Sequence, residues 1–261
     1  MLWSSVIFVG VAIVLATVEA RWPARGRRWW QRDLRTDLAY WVFTPIVSHA
    51  LVAAVVAGCL VAVAVAHGVP ADVASVHAFV ARDTWAGALP LGVQIVAVVV
   101  VGDLLGYLAH VALHHARLWR FHAIHHAATE LDWLASSRLH PIDDIVLRAT
   151  QLVPLVLAGF DVAVLTGYLP FLGVVAVYQH ANVPWTFGPL RYVIASPVFH
   201  AWHHTSEVAG RDKNFAALFP VWDLAFGTFY LPARALPHRL GVDEAIPDGL
   251  FAQLAWPFRR R

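Results

Sequence analysis

One cysteine, Cys59, in 261 residues excludes a disulfide within the chain and leaves no iron–sulfur or multi-cysteine zinc site to build. Any metal cluster must rest on His, Asp or Glu. Lysine is equally scarce: Lys213 stands alone, arginine carries the positive charge, and the formal net charge is +2. No run of basic residues alternates with aromatics along the chain, which argues against a nucleic-acid partner. Charged residues make up 14% and hydrophobic ones 59%, against about 25% and roughly 45–50% in soluble domains. This deficit of charge points to the membrane class. No G-x-G-x-x-G precedes a helix and no flavin signature is present, so that route to a bound redox dinucleotide is closed.

What is present is a series of apolar runs. Residues 2–19 are long enough to span a bilayer, with Glu19 at the end. A signal peptide fits poorly, because the basic cluster follows the run. Arg21, Arg25, Arg27, Arg28, Arg32 and Arg35, with Trp22, Trp29 and Trp30 among them, predict a cytoplasmic interface and an outside-to-inside first helix. A second run, about 38–66, reads as one tilted span or a re-entrant segment. Residues 68–85 read as an outside loop with a short interfacial helix. The third run, 86 to about 109, returns inward and is interrupted by Asp103, an intramembrane carboxylate and hence a functional candidate. Residues 116–144 are too polar to span. Two shorter segments, 145–160 and 162–181, broken at Gly159 and Asp161, predict a hairpin that returns His180 to the same face. The proline-rich stretch 184–261 reads as a cytoplasmic cap ending in Arg259, Arg260 and Arg261. The expected fold is all-α, with about four spanning or hairpin helices and a helical cap. It forms one structural unit, divided into 1–85 (N-terminal membrane helices and outside loop) and 86–261 (catalytic part).

Six histidines fall between His110 and His126, and the spacing H-x-x-H-H occurs twice, at His122, His125 and His126 and at His200, His203 and His204. Residues three and four apart share a helix face, so each group can aim two or three imidazoles at one point; His110 and His114 do the same. The LWRF link between the two clusters is expected to turn the chain along the surface. A lone histidine is usually a hydrogen-bonded core or interface residue, and His49, His67, His77 and His238 are read that way. Eight clustered neutral rings would leave many lone pairs without partners, which a pair of metal ions would satisfy. A zincin needs H-E-x-x-H, and these motifs lack the glutamate. One structural zinc takes four ligands, too few for this set. Imidazole suits iron, zinc and copper alike, so spacing leaves the metal open.

Over residues 100–231 the chain resembles the fatty acid hydroxylase superfamily, the sterol desaturase-like integral membrane di-iron oxygenases. The resemblance rests on DLLGYLAHVALHH from Asp103, WRFHAIHH from Trp119, LDWLASSRLHP from Leu131, SPVFHAWHHT from Ser196, DKNFA from Asp212 and PVWDLAFGTFYLP from Pro220. It implies metal ligation by the eight box histidines, His110, His114, His122, His125, His126, His200, His203 and His204, joined by His140 in RLHP and His180 in YQHANV. His115 stands where many relatives carry a basic residue and is left out. Asp103, two helical turns before His110, is expected to orient a ligand imidazole through its second nitrogen. Asn214 is a candidate supporting catalytic residue, and Asp132, Asp143, Asp144 and Asp212 are weaker candidates of the same kind. The implied cofactor is two iron ions, with zinc able to substitute in purified protein. The implied reaction is O2-dependent hydroxylation or desaturation of a lipid from the bilayer, at the cytoplasmic edge of a multi-pass membrane protein. Electrons would come from a cytochrome b5-like protein or a ferredoxin with its reductase, docking near Arg117, Arg120, Arg138 and Arg191. The competing reading is a non-oxidative membrane protein that binds or transports zinc.

Overall fold

A computed structural model of the chain describes residues 2–26, 33–232 and 236–259. Arg27, Arg28, Trp29, Trp30 and Arg32 of the basic-aromatic cluster, and Arg260 and Arg261, lie outside them. Among the described residues every regular element is a helix, and a lone bridge pairs Thr205 with Leu240. The long elements are α1 (Leu2–Arg21), α2 (Leu34–Phe43), α3 (His49–Ala66), α4 (Val73–Val80), α5 (Leu91–Leu113), α6 (Ala116–His126), α7 (Pro141–Ala158) and α8 (Val162–His180). Three short helices follow: α9 (Pro197–His203), α10 (Val221–Phe226) and α11 (Leu250–Ala255).

Among the described residues, three stretches are long and apolar enough to cross a membrane: Leu34–Ala66, Leu91–Leu113 and Val162–His180. The first is α2 and α3 joined by a π-helical turn, Thr44–Ser48. Pro45 explains the wide turn, since it lacks the N–H that an α-helical ladder needs. The third apolar run starts later than its composition suggests, because Pro90 caps α5 from outside. The hairpin is present as α7 and α8. Gly159 ends α7 at φ 79°, a conformation open to glycine at little cost, and the Asp161 side chain caps α8 by accepting the Ala163 N–H at 2.6 Å. Gln94 ties this bend to α5, accepting the Asp161 N–H at 2.9 Å and donating to Gly87 and Leu89 carbonyls.

Lipid tails are as apolar as leucine, so spanning helices associate through close packing and not through a hydrophobic drive. Glycines on α5 make that packing possible. A Cβ at Gly102 would collide with the Tyr168 hydroxyl, and one at Gly106 with the Gln151 amide. Val98, Leu152, Leu155, Val164, Leu165, Tyr168 and Leu172 fill the space between α5, α7 and α8. Outward faces keep Ile46, Leu51, Val93, Ile95, Val96, Leu108 and Leu169 exposed, as a lipid-facing surface requires.

One expectation fails at the heart of the chain. LWRF does not make the turn. The chain turns at His114 and His115, which end α5 and cap α6, and Leu118 to Phe121 lie within α6. The turn therefore sets α6 against the end of α5 and carries His122, His125 and His126 back beside His110.

Candidate metal centre

Four elements supply the imidazoles. The end of α5 brings His110 and His114, α6 brings His122, His125 and His126, the last residue of α8 is His180, and α9 with its C-cap brings His200, His203 and His204. Ser196 fixes the start of α9 by accepting the Phe199 N–H at 3.1 Å, with Pro197 in the first turn.

The nine rings sort into two sets. His110, His114, His122, His126 and His203 form one; His125, His180, His200 and His204 form the other, and within each set the ligand-capable nitrogens lie within 4.8 Å of one another. His126 and His204 stack across the boundary, with ring centroids 4.3 Å apart. Each H-x-x-H-H group is thus split between the sets. His125 parts from His122 and His126, and His203 parts from His200 and His204.

The outer nitrogens show what the inner ones can do. His125 Nδ1 donates to the Arg138 carbonyl at 3.1 Å and His180 Nδ1 to the Ala176 carbonyl at 2.7 Å. A carbonyl only accepts, so both rings carry their proton on Nδ1. Their Nε2 atoms are nevertheless 3.2 Å apart, two bare lone pairs facing each other. His110 Nδ1 donates likewise to the Phe215 carbonyl at 2.8 Å and His203 Nδ1 to the Lys213 carbonyl at 2.8 Å. The inward His203 Nε2 and His114 Nε2 are buried without any partner. Burial, and after it the neighbouring imidazoles, hold His122, His126, His200, His203 and His204 well below the usual histidine range; for His125 burial is again the largest cause. Neutral rings with inward lone pairs are the form that binds a metal. The donor set fits two metal ions.

Two carboxylates complete the outer layer. Asp143 accepts from His122 Nδ1 at 3.0 Å and Asp212 from His114 Nδ1 at 2.9 Å. Such partners set the tautomer and basicity of ligating histidines. Asp212 sits at φ 55°, a left-handed conformation that asparagine and aspartate tolerate better than most residues.

Several sequence expectations are corrected here. The structure does not bring His140 to either set. Its Nδ1 caps α7 by accepting the Ile142 N–H at 3.1 Å, and its Nε2 faces the Leu254 carbonyl at 3.3 Å. His115 is exposed at the start of α6. Asp103 orients no imidazole. Its carboxylate accepts from the Leu218 and Phe219 N–H groups at 2.9 and 3.0 Å and from the Trp222 indole at 3.1 Å, holding the segment that presents the Phe215 carbonyl to His110. Asn214 also acts at a distance. It bonds the Phe199 carbonyl and both backbone groups of Tyr230, tying α9 to the segment after α10. Asp132 caps a 3-10 turn by accepting the Leu134 N–H, and Asp144 faces Arg148. Arg138 is no docking residue: it is fully buried, donating to Asp37 at 2.7 Å and Asp33 at 3.4 Å. That ion pair fixes the Arg138 carbonyl that His125 needs. The four carbonyls behind His110, His125, His180 and His203 carry no side-chain signal, so sequence reasoning could not find them.

A helical membrane protein enclosing two polyhistidine nests is a membrane metalloprotein. The model of the family described as fatty acid hydroxylase matches residues 95–228. Over its whole length the chain is 30% identical to the ornithine lipid hydroxylase OlsE of Rhizobium tropici, covering 77% of that protein. It is 32% identical to the very-long-chain aldehyde decarbonylase GL1-6 of Oryza sativa subsp. indica, over 59% of this chain and 26% of the relative. To the alkylglycerol monooxygenase of Caenorhabditis elegans it is 29% identical, over 49% of this chain and 25% of the relative. No solved structure matches. The chain belongs to the fatty acid hydroxylase family, and is by class a membrane oxidoreductase acting on lipids.

Proposed function

We propose that this protein hydroxylates a lipid with O2 at a di-iron centre held by His110, His114, His122, His126 and His203 on one side and by His125, His180, His200 and His204 on the other. The observation that carries the reading is the His125–His180 pair, whose Nδ1 protons are spent on carbonyls while their Nε2 atoms meet at 3.2 Å. Bound there, two iron ions would supply the reductive activation of O2. The balance is one C–H bond, O2, two electrons and two protons giving C–OH and water. Desaturation breaks two C–H bonds on adjacent carbons with the same O2, two electrons and two protons, and gives a double bond and two waters. The ornithine lipid named for the Rhizobium tropici relative makes an amino-acid lipid the first substrate to test.

The chain's own residues hold the site. Asp143, Asp212 and the four carbonyls orient the imidazoles, and the buried Arg138–Asp37 pair braces one of those carbonyls. Within one structural unit we assign anchoring and bracing to residues 1–85 and catalysis to 86–261. The arginines at 21, 25 and 35 favour the cytoplasmic side for the histidine centre. With no nucleotide motif in the chain, electrons would reach it from a cytochrome b5-like protein or a ferredoxin with its reductase. Exposed Arg117 and Arg120 and half-buried Arg191 are the basic residues available to an acidic carrier.

The test is a comparison of lipids from cells with and without the protein, under O2 and without it, together with metal analysis of purified chain. About two irons per chain are expected for a site of this composition, along with a lipid product that needs O2 and reductant. Metal uptake or flux with no O2 consumption would favour the zinc-handling alternative and refute the oxygenase reading.

A further inference from the structure

A cavity of about 240 Å³ opens beside the five-histidine set, with His114, His126 and His203 on one wall. Its other walls are unlike a channel for an acyl chain. Asp212, Asp243 and Glu244 line it against a single cation, Arg211, so carboxylates exceed cations by two (3 − 1). Thr205 and Ser206 contribute hydroxyls, and the Ser206 residue is 8% exposed with an oxygen that has no hydrogen-bond partner. All the lining residues belong to segments outside the three candidate spans.

Much of this polarity is already placed. Arg211 donates to Asp243 at 2.7 Å and to the Ser206 carbonyl at 3.0 Å. Asp212 holds His114. Glu244 accepts the Trp119 indole N–H at 2.8 Å on one oxygen, which leaves its other oxygen for a ligand. The Trp119 ring in turn lies 5.0 Å from that of His114 and 5.3 Å from that of His126. A group gripped by Glu244 would therefore rest one ring's width from the imidazoles. Methylenes placed here would strip water from charged groups without replacing their hydrogen bonds. An ammonium would pair with Glu244, lie against the face of Trp119 and offer the Ser206 oxygen a donor.

Building on the oxygenase reading, we propose that this cavity binds the ammonium-bearing headgroup of a lipid, and that the C–H bond oxidised lies in that headgroup and not in the acyl chain. The acyl chains then stay in the bilayer while the headgroup reaches in from its surface. The electrons come from a reduced iron–sulfur or haem carrier protein, with the stoichiometry given above.

Two measurements on the full chain test this. The first omits O2 and reductant. It compares binding of Nα-lauroyl-lysine, an amphiphile with a free side-chain ammonium, with binding of the same amphiphile acetylated on that amine. The ammonium form is expected to bind roughly tenfold more tightly, and E244Q to abolish the difference; one charge contact is worth about that factor. Glutamine keeps an oxygen for the Trp119 indole, and metal content equal to wild type shows that the variant is folded. Equal affinity of wild type for the two amphiphiles overturns the proposal. The second incubates iron-loaded chain, total lipid extract, O2 and reduced ferredoxin, and locates the added oxygen by fragment mass. Oxygen on a headgroup fragment is the expected result. Oxygen on an acyl fragment overturns the headgroup assignment and leaves the oxygenase reading standing, whereas incorporation nowhere overturns both.

Discussion

Replacing Asp143 by asparagine separates the charge behind His122 from the rest of its environment. Asp143 is fully buried and its carboxylate accepts from His122 Nδ1 at 3.0 Å. Burial, reinforced by Asp144, pushes this carboxyl well above the usual carboxylate range, while burial pushes His122 down. Without a compensating cation the pair therefore favours its neutral form. A metal ion on the Nε2 side supplies that cation and draws the pair towards carboxylate and Nδ1–H. An asparagine side chain keeps an acceptor oxygen in the same place and removes only the charge. Loss of such a partner typically lowers metal affinity 10–100-fold, or about 1.4–2.7 kcal/mol. Asp143 also lies in the first turn of α7, where a negative charge contributes about 0.3–1 kcal/mol to the helix. D144N provides the control, because Asp144 occupies the same turn and faces Arg148 in place of a histidine of the two metal-binding sets. The assay is competitive metal titration of purified chain against a chelator, with thermal unfolding of each variant alongside. D143N should lose affinity by the stated factor while D144N stays near wild type. An unchanged D143N, or a D144N equally impaired, would refute the idea that a carboxylate tunes His122.

Three more outcomes follow from the same geometry. H125A should lose lipid turnover and metal together, whereas H140A should keep its full metal content and lose only a helix cap, about 1 kcal/mol by thermal unfolding; metal loss in H140A would return it to the ligand set. R138M strands the Asp37 carboxylate in the interior and should cost about 3–5 kcal/mol in denaturant unfolding, with part recovered in the D37N/R138M double variant. For chelator-treated protein, the box histidines outside the spans have folded pKa values below the unfolded value of about 6.5. The unfolded state then binds more protons, so stability is full above about pH 6.5 and falls as pH drops below it; a melting temperature unchanged between pH 7.5 and 5 would contradict the neutral, buried assignment.

The apolar runs, the low charge and the repeated H-x-x-H-H spacing were enough to indicate a helical membrane protein with a polyhistidine centre, because hydropathy and a 3.6-residue period are local properties. The hairpin and the return of His180 were legible for the same reason, through Gly159 and Asp161. What stayed hidden depends on which residues meet across long separations. Nothing in HAIHH says that His125 turns to His180 and His204 while His122 and His126 turn to His110, since that split arises from how α6 sits between α5, α8 and α9. Asp103 and Asp143 were both plausible beside a histidine on paper. Tertiary packing sent Asp103 to the Leu218 and Phe219 amides and Asp143 to His122. His140 carries the family pattern yet caps a helix, because it precedes Pro141 where α7 begins and an imidazole there meets the backbone first. The local pattern determined which atoms could bind metal. The fold decided which lone pairs face inward, because the Phe215, Arg138 and Lys213 carbonyls, brought up from other segments, hold the protons on the opposite side of the His110, His125 and His203 rings.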